Sequence, residues 1–351
     1  MRLPQPQKCR QIDMADATVI ERPRPHNAAP VATGKSTTSL KENKQGKVIP
    51  VEVPKLSDVP GYMDSLGWRV SAALMRKWFS FSAREMTLDE KLGRTPPSKY
   101  PSALVDTTTV KLDWVLSFER AKAVYQSALS SSLFGTYGFD IPEARVQLAR
   151  RIKRAGLFTT RVEVFGDLSN PSIWQHEHWQ FRLFKIDTTQ IDRGKVFLSG
   201  LDDLFGALAS FGLYLSAAGT VTPGTQIVDT GSACKLIVKT YQIEITHIAF
   251  YARDTYDFIG GQYLGHWNKD GVEVVFNYIL EEKMGTLNPS DYQPSGDPPD
   301  MKLPVGNWSF NEYRKKHSKG GDMLIFSDLK TIRLKRPLRY NITSQQVAKL
   351  S

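Results

Sequence analysis

Lys235-Leu-Ile-Val-Lys-Thr-Tyr-Gln-Ile-Glu-Ile-Thr-His-Ile-Ala-Phe-Tyr-Ala252 is the stretch whose reading decides the fold. Tyr241, Ile243, Ile245, His247, Ala249 and Tyr251 share one face of an extended chain, and Gln242, Glu244 and Thr246 take the other. A period of two kept up over this length is a strand, half-buried for most of its course. Near its end Ile248 and Phe250 join the second face, so that end is expected to be covered on both sides. Shorter strand patterns lie at 160–165, 178–186, 272–276, 323–326 and 331–334, and a Pro/Asp/Gly-rich surface loop at 289–304.

On the N-terminal side of this β-rich region the period is that of helices. Residues 63–79 set Leu66, Val70, Leu74 and Trp78 in one i,i+4 row. A second helix is expected over 108–129, stopped by Gly135 and Gly138. A third carries Asp140 as N-cap, Pro142 at the first helical position and Gly156 just past its end. Its apolar face is Val146, Ala149 and Ile152. One more helix is expected inside the β-rich part, over 202–218, with Leu204, Leu208, Phe211 and Leu215 inward. The fold class is therefore α+β: a helical layer over 57–156 packed on a mainly antiparallel sheet region over 157–345, together a single domain or two. Residues 1–56, with seven prolines and little apolar surface, read as a flexible basic leader with a short extended piece at 48–53.

The net charge of +10 is unevenly spread. Residues 1–50 contribute +5, residues 142–155 contribute +4 and residues 314–339 contribute +7, which leaves the remainder at −6. The basic patch so defined comprises Arg145, Arg150, Arg151, Lys153, Arg154, Arg314, Lys315 and Lys316. It suits an anionic partner such as nucleic acid or anionic lipid, or a solvated helix face. Two cysteines, Cys9 and Cys234, make no disulfide framework. No apolar run is long enough to span a bilayer, and the N-terminus has no h-region of a secretory signal.

Immediately after the long strand comes the densest chemistry, Tyr251-Ala-Arg-Asp-Thr-Tyr-Asp-Phe258 and Gln262-Tyr-Leu-Gly-His-Trp267. Strand geometry puts Tyr251 and Arg253 on one face and Asp254 on the other. A turn at Gly260-Gly261 and a second at 268–271 would gather this block at one rim. Arg253, Asp254, Tyr256, Asp257, Gln262, Tyr263, His266 and Trp267 are thus the expected binding surface; the alternative is a structural corner of capped turns and a satisfied ion pair. His176 and His178, on one face of an extended chain about 7 Å apart from the rise per residue, are candidate metal ligands with no completing group in sequence. Arg314-Lys-Lys-His317-Ser-Lys-Gly-Gly-Asp322 offers His317 as an acid/base, Lys319 as a phosphate holder and Asp322 beside them, or else a solvated basic turn. Gly34-Lys35-Ser36 lacks the upstream glycine and strand of a phosphate loop. No cofactor is expected.

Several strings together, Gly61-Tyr-Met-Asp-Ser-Leu-Gly-Trp68, Ala72-Ala-Leu-Met-Arg-Lys-Trp-Phe79, Asp106-Thr-Thr-Thr-Val-Lys-Leu-Asp-Trp114, Gln262-Tyr-Leu-Gly-His-Trp-Asn268 and His317-Ser-Lys-Gly-Gly-Asp-Met-Leu-Ile-Phe-Ser-Asp328, resemble a family of uncharacterised proteobacterial proteins defined as a domain of unknown function. The resemblance runs from about residue 54 to residue 339. It implies an association with contact-dependent secretion loci, including type VI systems, and assigns no residue a role. The expectation is a bacterial cytoplasmic protein, exported if at all by a route without a signal peptide. It would act as an accessory or cargo (effector) protein through contact with secretion machinery, a chaperone or an immunity-type protein. Two other classes stay open: a toxin-like hydrolase, nuclease or metal-dependent, and a binder of nucleic acid or anionic lipid.

Overall fold

A computed structural model describes residues 40–42, 48–50, 53–130, 138–186, 201–229, 235–260, 262–273, 294, 296 and 300–350. The chain divides into two compact units, 1–52 and 53–351. Within the first, the described residues form one antiparallel ladder of β1 (Leu40–Glu42) with β2 (Val48–Pro50). The rest of the expected leader, both cysteines, the stop at Gly135 and most of the loop at 289–304 lie outside the described residues.

The second unit is α+β. Its spine is an antiparallel ribbon of β6 (Phe211–Asp229) with β7 (Lys235–Tyr256), paired from Gly212–Arg253 out to Asp229–Lys235. On the β7 side lie β11 (Met323–Phe326) and β12 (Lys330–Thr343), both antiparallel to it. On the β6 side lie β4 (Glu163–Phe165) and β5 (Gln180–Ile186). The short β3 (Val105–Asp106) adds to β11 and makes the one parallel pair of this seven-stranded sheet. A second sheet has the order β10 (Leu303–Gly306), β8 (Tyr263–Asn268), β9 (Gly271–Glu273), so only the first part of the strand expected at 272–276 is described.

β7 follows its sequence pattern. Tyr241, Ile243 and Ile245 are buried and Gln242 is exposed; from Ile248 to Ala252 every residue is buried. The change follows a bulge opposite Thr246, between Ala218 and Gly219 of β6. There the two backbones close up: a Cβ at Gly219 would stand 1.8 Å from the Glu244 carbonyl oxygen, so no larger residue fits.

The helices depart from expectation at several points. Residues 63–79 are not one helix but the end of α1 (Val59–Ser65) and most of α2 (Arg69–Ser80), separated at Gly67, whose φ of 77° no helix allows. The span 108–129 is likewise two, α4 (Leu112–Val115) and α5 (Glu119–Leu129), after α3 (Leu88–Lys91); Phe118 between them is extended. In α6 (Pro142–Arg154) the N-cap is Ile141, because Asp140 is taken by Arg145 in a two-point ion pair at 2.6 and 2.7 Å. Its buried face is Ala144, Leu148, Ala149 and Ile152, whereas Val146 is exposed. Residues 172–178 form α7 (Ser172–His178), not the start of a strand. The largest correction concerns 202–218. Asp202 does start a helix, accepting from the Phe205 N–H at 2.8 Å, but α8 (Asp203–Leu208) is short and the chain enters β6 at Phe211. α9 (Asn307–His317) and α10 (Ser344–Lys349) complete the set.

Two contacts lock α8 in place. The Asp203 carboxylate accepts from the first free N–H groups of α2, Val70 at 3.1 Å and Ser71 at 2.8 Å. Asp202 takes both arms of Arg120. Beneath them Trp78 is fully buried, with the Phe258 and Phe310 rings 5.1 and 5.2 Å away in edge contact. Among the described residues no helix is long and apolar enough to cross a membrane.

Candidate functional site

The end of β7 distributes its side chains as strand geometry demands, and its two faces meet different surroundings. β7 does not turn at residue 252. It continues to Tyr256 because β11 pairs with it there, Phe326 opposite Arg253 and Met323 opposite Tyr256. The expected open rim is therefore not formed: Arg253, Tyr256, Tyr263, His266 and Trp267 are all less than a tenth exposed.

On one face Asp254, Tyr256, Asp257, Gln262 and Trp267 line a single cavity of about 260 Å³, whose other walls include Trp68 and Met75 and the end of α8 through Ala209. Five of the eight expected residues are thus brought together, around a pocket instead of on a surface. The volume is slightly below the roughly 300 Å³ at which ligand pockets begin. Asp257 is ion-paired with Lys91 at 2.7 Å and also receives the Ile259 N–H at 3.3 Å. Asp254 has no cation within ion-pair distance among the described residues. Burial holds its carboxyl well above the ordinary range; the Thr255 N–H pulls it back, and Asp257 pushes it further up. The Tyr256 hydroxyl is spent on the Met75 sulfur at 3.7 Å, and burial raises its pKa. Ala209, at φ 44°, holds the cavity wall in a conformation that costs an alanine energy.

On the opposite face Tyr251 is fully buried and stacks on Tyr214, ring centroids 5.8 Å apart. His176 of α7 stands edge-on to Tyr214, Tyr251 and Phe326, its Nδ1 3.1 Å from the Tyr251 hydroxyl. Burial first, then the positive charges of Arg253 and Arg151, push the imidazole down to about 3. Arg253 lies beside the Phe326 ring, 5.9 Å from guanidinium carbon to centroid.

The remaining candidates are dispersed. His176 and His178 are not paired on an extended face: the helix that carries them leaves His176 half-buried and His178 exposed, stacked on Trp174 at 4.5 Å. Among the described residues no group of three or more His, Cys, Asp or Glu side chains is placed to hold a metal ion. His317 is exposed and packs on Tyr313, Lys319 donates to the Ser80 carbonyl at 3.3 Å, and Asp322 is fully buried. Asp322 accepts from Trp78 Nε1 at 3.0 Å, from the Met86 N–H at 2.9 Å and from Arg314 at 2.5 Å, so it joins neither of the other two. Arg314 accordingly drops out of the basic patch, and Arg151 is turned inward onto the Glu177 and Gln180 carbonyls. Arg145 is held by Asp140, and Arg150 is partly buried. Lys153, Arg154, Lys315 and Lys316 remain exposed.

Sequence reasoning passed over two features. One is Ile227 and Ile237, directly opposite each other near the tip of the β6–β7 ribbon and 65% and 73% exposed; Ile237 had been read only as part of a strand. The other is the α8 wall of the cavity, hidden while 202–218 read as one helix. No curated protein and no solved structure matches the chain. A family model described as a family of unknown function matches residues 55–342, most of the chain, and the chain therefore belongs to that family, DUF6402.

Proposed function

We propose that the chain works by contact with another protein, as an accessory or cargo protein of a contact-dependent secretion system, and that the far end of the β6–β7 ribbon makes the contact. The carrying observation is the exposed Ile227–Ile237 pair. Pairing with β4 ends at Val221 of β6, and pairing with β12 ends at Thr240 of β7. Beyond those points neither strand has a third strand beside it among the described residues. Two exposed isoleucines between open main-chain edges form a surface suited to an extended, apolar segment that adds as a strand. The secretion setting is drawn from the family resemblance, not from geometry.

A photo-crosslinking residue at position 227 of the full-length chain, with the same group at the exposed Gln147 as control, tests the contact. The expected outcome is a discrete adduct at 227 that Ile237→Asp abolishes; adducts equal at both positions would sink the reading. Export is checked separately, by following the tagged chain into the medium of cells with and without a working secretion machine.

A second reading has one observation in its favour. The outward side chains of β12 include Arg333, Lys335 and Arg336, all exposed, while Arg339 is held by Glu244. An anionic polymer or lipid surface fits that row, and its binding would weaken steeply with salt. Binding unchanged between 50 and 200 mM salt, roughly the range over which such contacts are lost, would remove it.

A further inference from the structure

Arg253 is 8% exposed, and among the described residues it has no hydrogen-bond acceptor and no carboxylate within ion-pair distance; its Nε is buried without a partner. Guanidinium does not shed its proton in proteins, so the group cannot escape the cost by becoming neutral. Burying an ion without a partner is unfavourable. The Asp254 carboxyl, next along the strand, feels the Arg253 charge but lies beyond ion-pair distance. In register Arg253 lies between Gly212 of β6 and Phe326 of β11, neither of which has a polar side chain. The nearest polar side chain of the same cluster, His176, is bonded to Tyr251 and responds to Arg253 as to a like charge. Arg151, the second cation there, is satisfied by carbonyl oxygens, so it leaves the local charge positive.

One side of the guanidinium is lined by the main chain of a glycine, Gly93. The main chain of Gly93 runs past the two terminal nitrogens: a Cβ there would lie 3.6 Å from Nη2 and 3.9 Å from Nη1, ordinary contact distances. Gly93 has φ 70° and no side chain, so nothing from this lip reaches over the fork. The fork of Nη1 and Nη2 is the part of arginine that grips two oxygens of one group at once.

We infer that Arg253 is the receptor for a single oxyanion, a carboxylate or a phosphoryl group, that enters past Gly93 and completes the ion pair the fold leaves open. This site is independent of the contact proposed for the ribbon tip and lies on the face of β7 away from the Asp254 cavity. The aromatic wall of Phe326 and Tyr251 excludes water behind the anion, which strengthens the pair.

The test is thermal unfolding and calorimetric titration of the full-length protein at constant ionic strength, with chloride replaced stepwise by phosphate in one arm and by acetate in the other. The expected result is a saturable rise in Tm in at least one arm, with the Kd weakened at least tenfold in Arg253→Met; the arm that responds identifies a phosphoryl or a carboxylate ligand. No rise beyond that in chloride, or an equal rise in Arg253→Met, overturns the inference. If Arg253→Met does not fold, crystals of the native chain soaked in selenate decide: anomalous density at the Arg253 fork upholds the site, and density only elsewhere or none overturns it.

Discussion

Arg314 and Arg253 are equally buried, each 8% exposed, and their circumstances are opposite. Arg314 reaches Asp322 at 2.5 Å, the Gly320 carbonyl at 2.9 Å and Asn311 at 3.2 Å, and it lies over the Trp78 ring. Arg253 lies beside the Phe326 ring and, among the described residues, has no hydrogen-bond acceptor and no ion-pair partner. The difference shows what this scaffold does with a charge that belongs to folding. Arg314 and Asp322 are eight residues apart, joined by a tight turn through Ser318 at φ 53° and Gly320 at φ 101°, so the pair forms locally and each of the three guanidinium nitrogens finds an acceptor. Arg253 stands on a central strand between Gly212 and Phe326, neither of which has a polar side chain to offer it. A fold that saturates one buried arginine and leaves another bare has kept the second for something outside the chain.

The contrast can be broken most directly at Asp322. Asp322→Ala strands the Arg314 charge, the Trp78 N–H and the Met86 N–H in the interior. Removing one partner of a buried pair costs about 3–5 kcal/mol, read as a lowered urea midpoint. A loss under about 1 kcal/mol, the range of an exposed pair, would erase the distinction between the two arginines.

Acid provides the next largest effect. His176 titrates near 3 in the folded protein against 6.5 as the reference. Its folded value is depressed, so the unfolded chain binds the proton first. Stability from this group is complete above about 6.5 and drains away as pH falls toward 3, by on the order of 4 kcal/mol at the end of that window. Comparing unfolding of the native chain with His176→Gln between pH 7 and pH 3.5 isolates the term. Arg253 is the second cause of the depression, so Arg253→Met, or a bound anion, should raise the folded value toward 6.5, which shrinks the loss and completes it at a higher pH. A curve identical in all three proteins would mean that His176 does not sense Arg253.

The stability of Arg253→Met in chloride is the sharpest arm of the comparison, though its effect is smaller. Replacing an unpaired buried charge by an apolar chain of similar length removes a cost and no bond. The expected outcome is an unchanged or higher urea midpoint, up to about 2 kcal/mol in favour of the variant. A clear loss would show that Arg253 holds the fold together as Arg314 does.

How far this site was legible in sequence depends on which residue is asked about. The course of β7 was readable because Tyr241 to Tyr251 keep a period of two, which local sterics impose without help from the rest of the chain. Residues 203–219 fit two templates at once: Leu204, Leu208, Phe211 and Leu215 suit a helix face, while Phe211, Leu213, Leu215 and Ala217 suit a strand. Pairing with β7 decided between them, and that is a contact across some 35 residues of chain with no local trace. His176 and His178 misled for a related reason: spacing alone cannot tell a strand from the helix that starts after Pro171. Arg253 could be named from its neighbourhood, yet its isolation depends on Gly212 and Phe326 lying beside it, a matter of register. The gathering of Asp254, Tyr256, Asp257, Gln262 and Trp267 was legible as proximity, whereas the wall that α8 puts beside it was not.

Asp254 repeats the comparison with the opposite charge and gives the smallest of these effects. Asp322 and Asp254 are both raised by burial, but three donors pull Asp322 back, whereas Asp254 is pulled back by one N–H, from Thr255, and by the charges of Arg253 and Lys91. A raised folded value means the folded state holds its proton longer than the unfolded chain. The stability linked to Asp254 is therefore complete below about 3.8 and declines as pH rises. Asp254→Asn keeps the shape and the donor and removes the titration, so it should stabilise the protein at pH 7 and leave it unchanged at pH 3. The same gain at both pH values would mean that packing, not ionisation, separates the two side chains. No gain at either would mean that Asp254 meets, in solution, a partner as good as the three that Asp322 has.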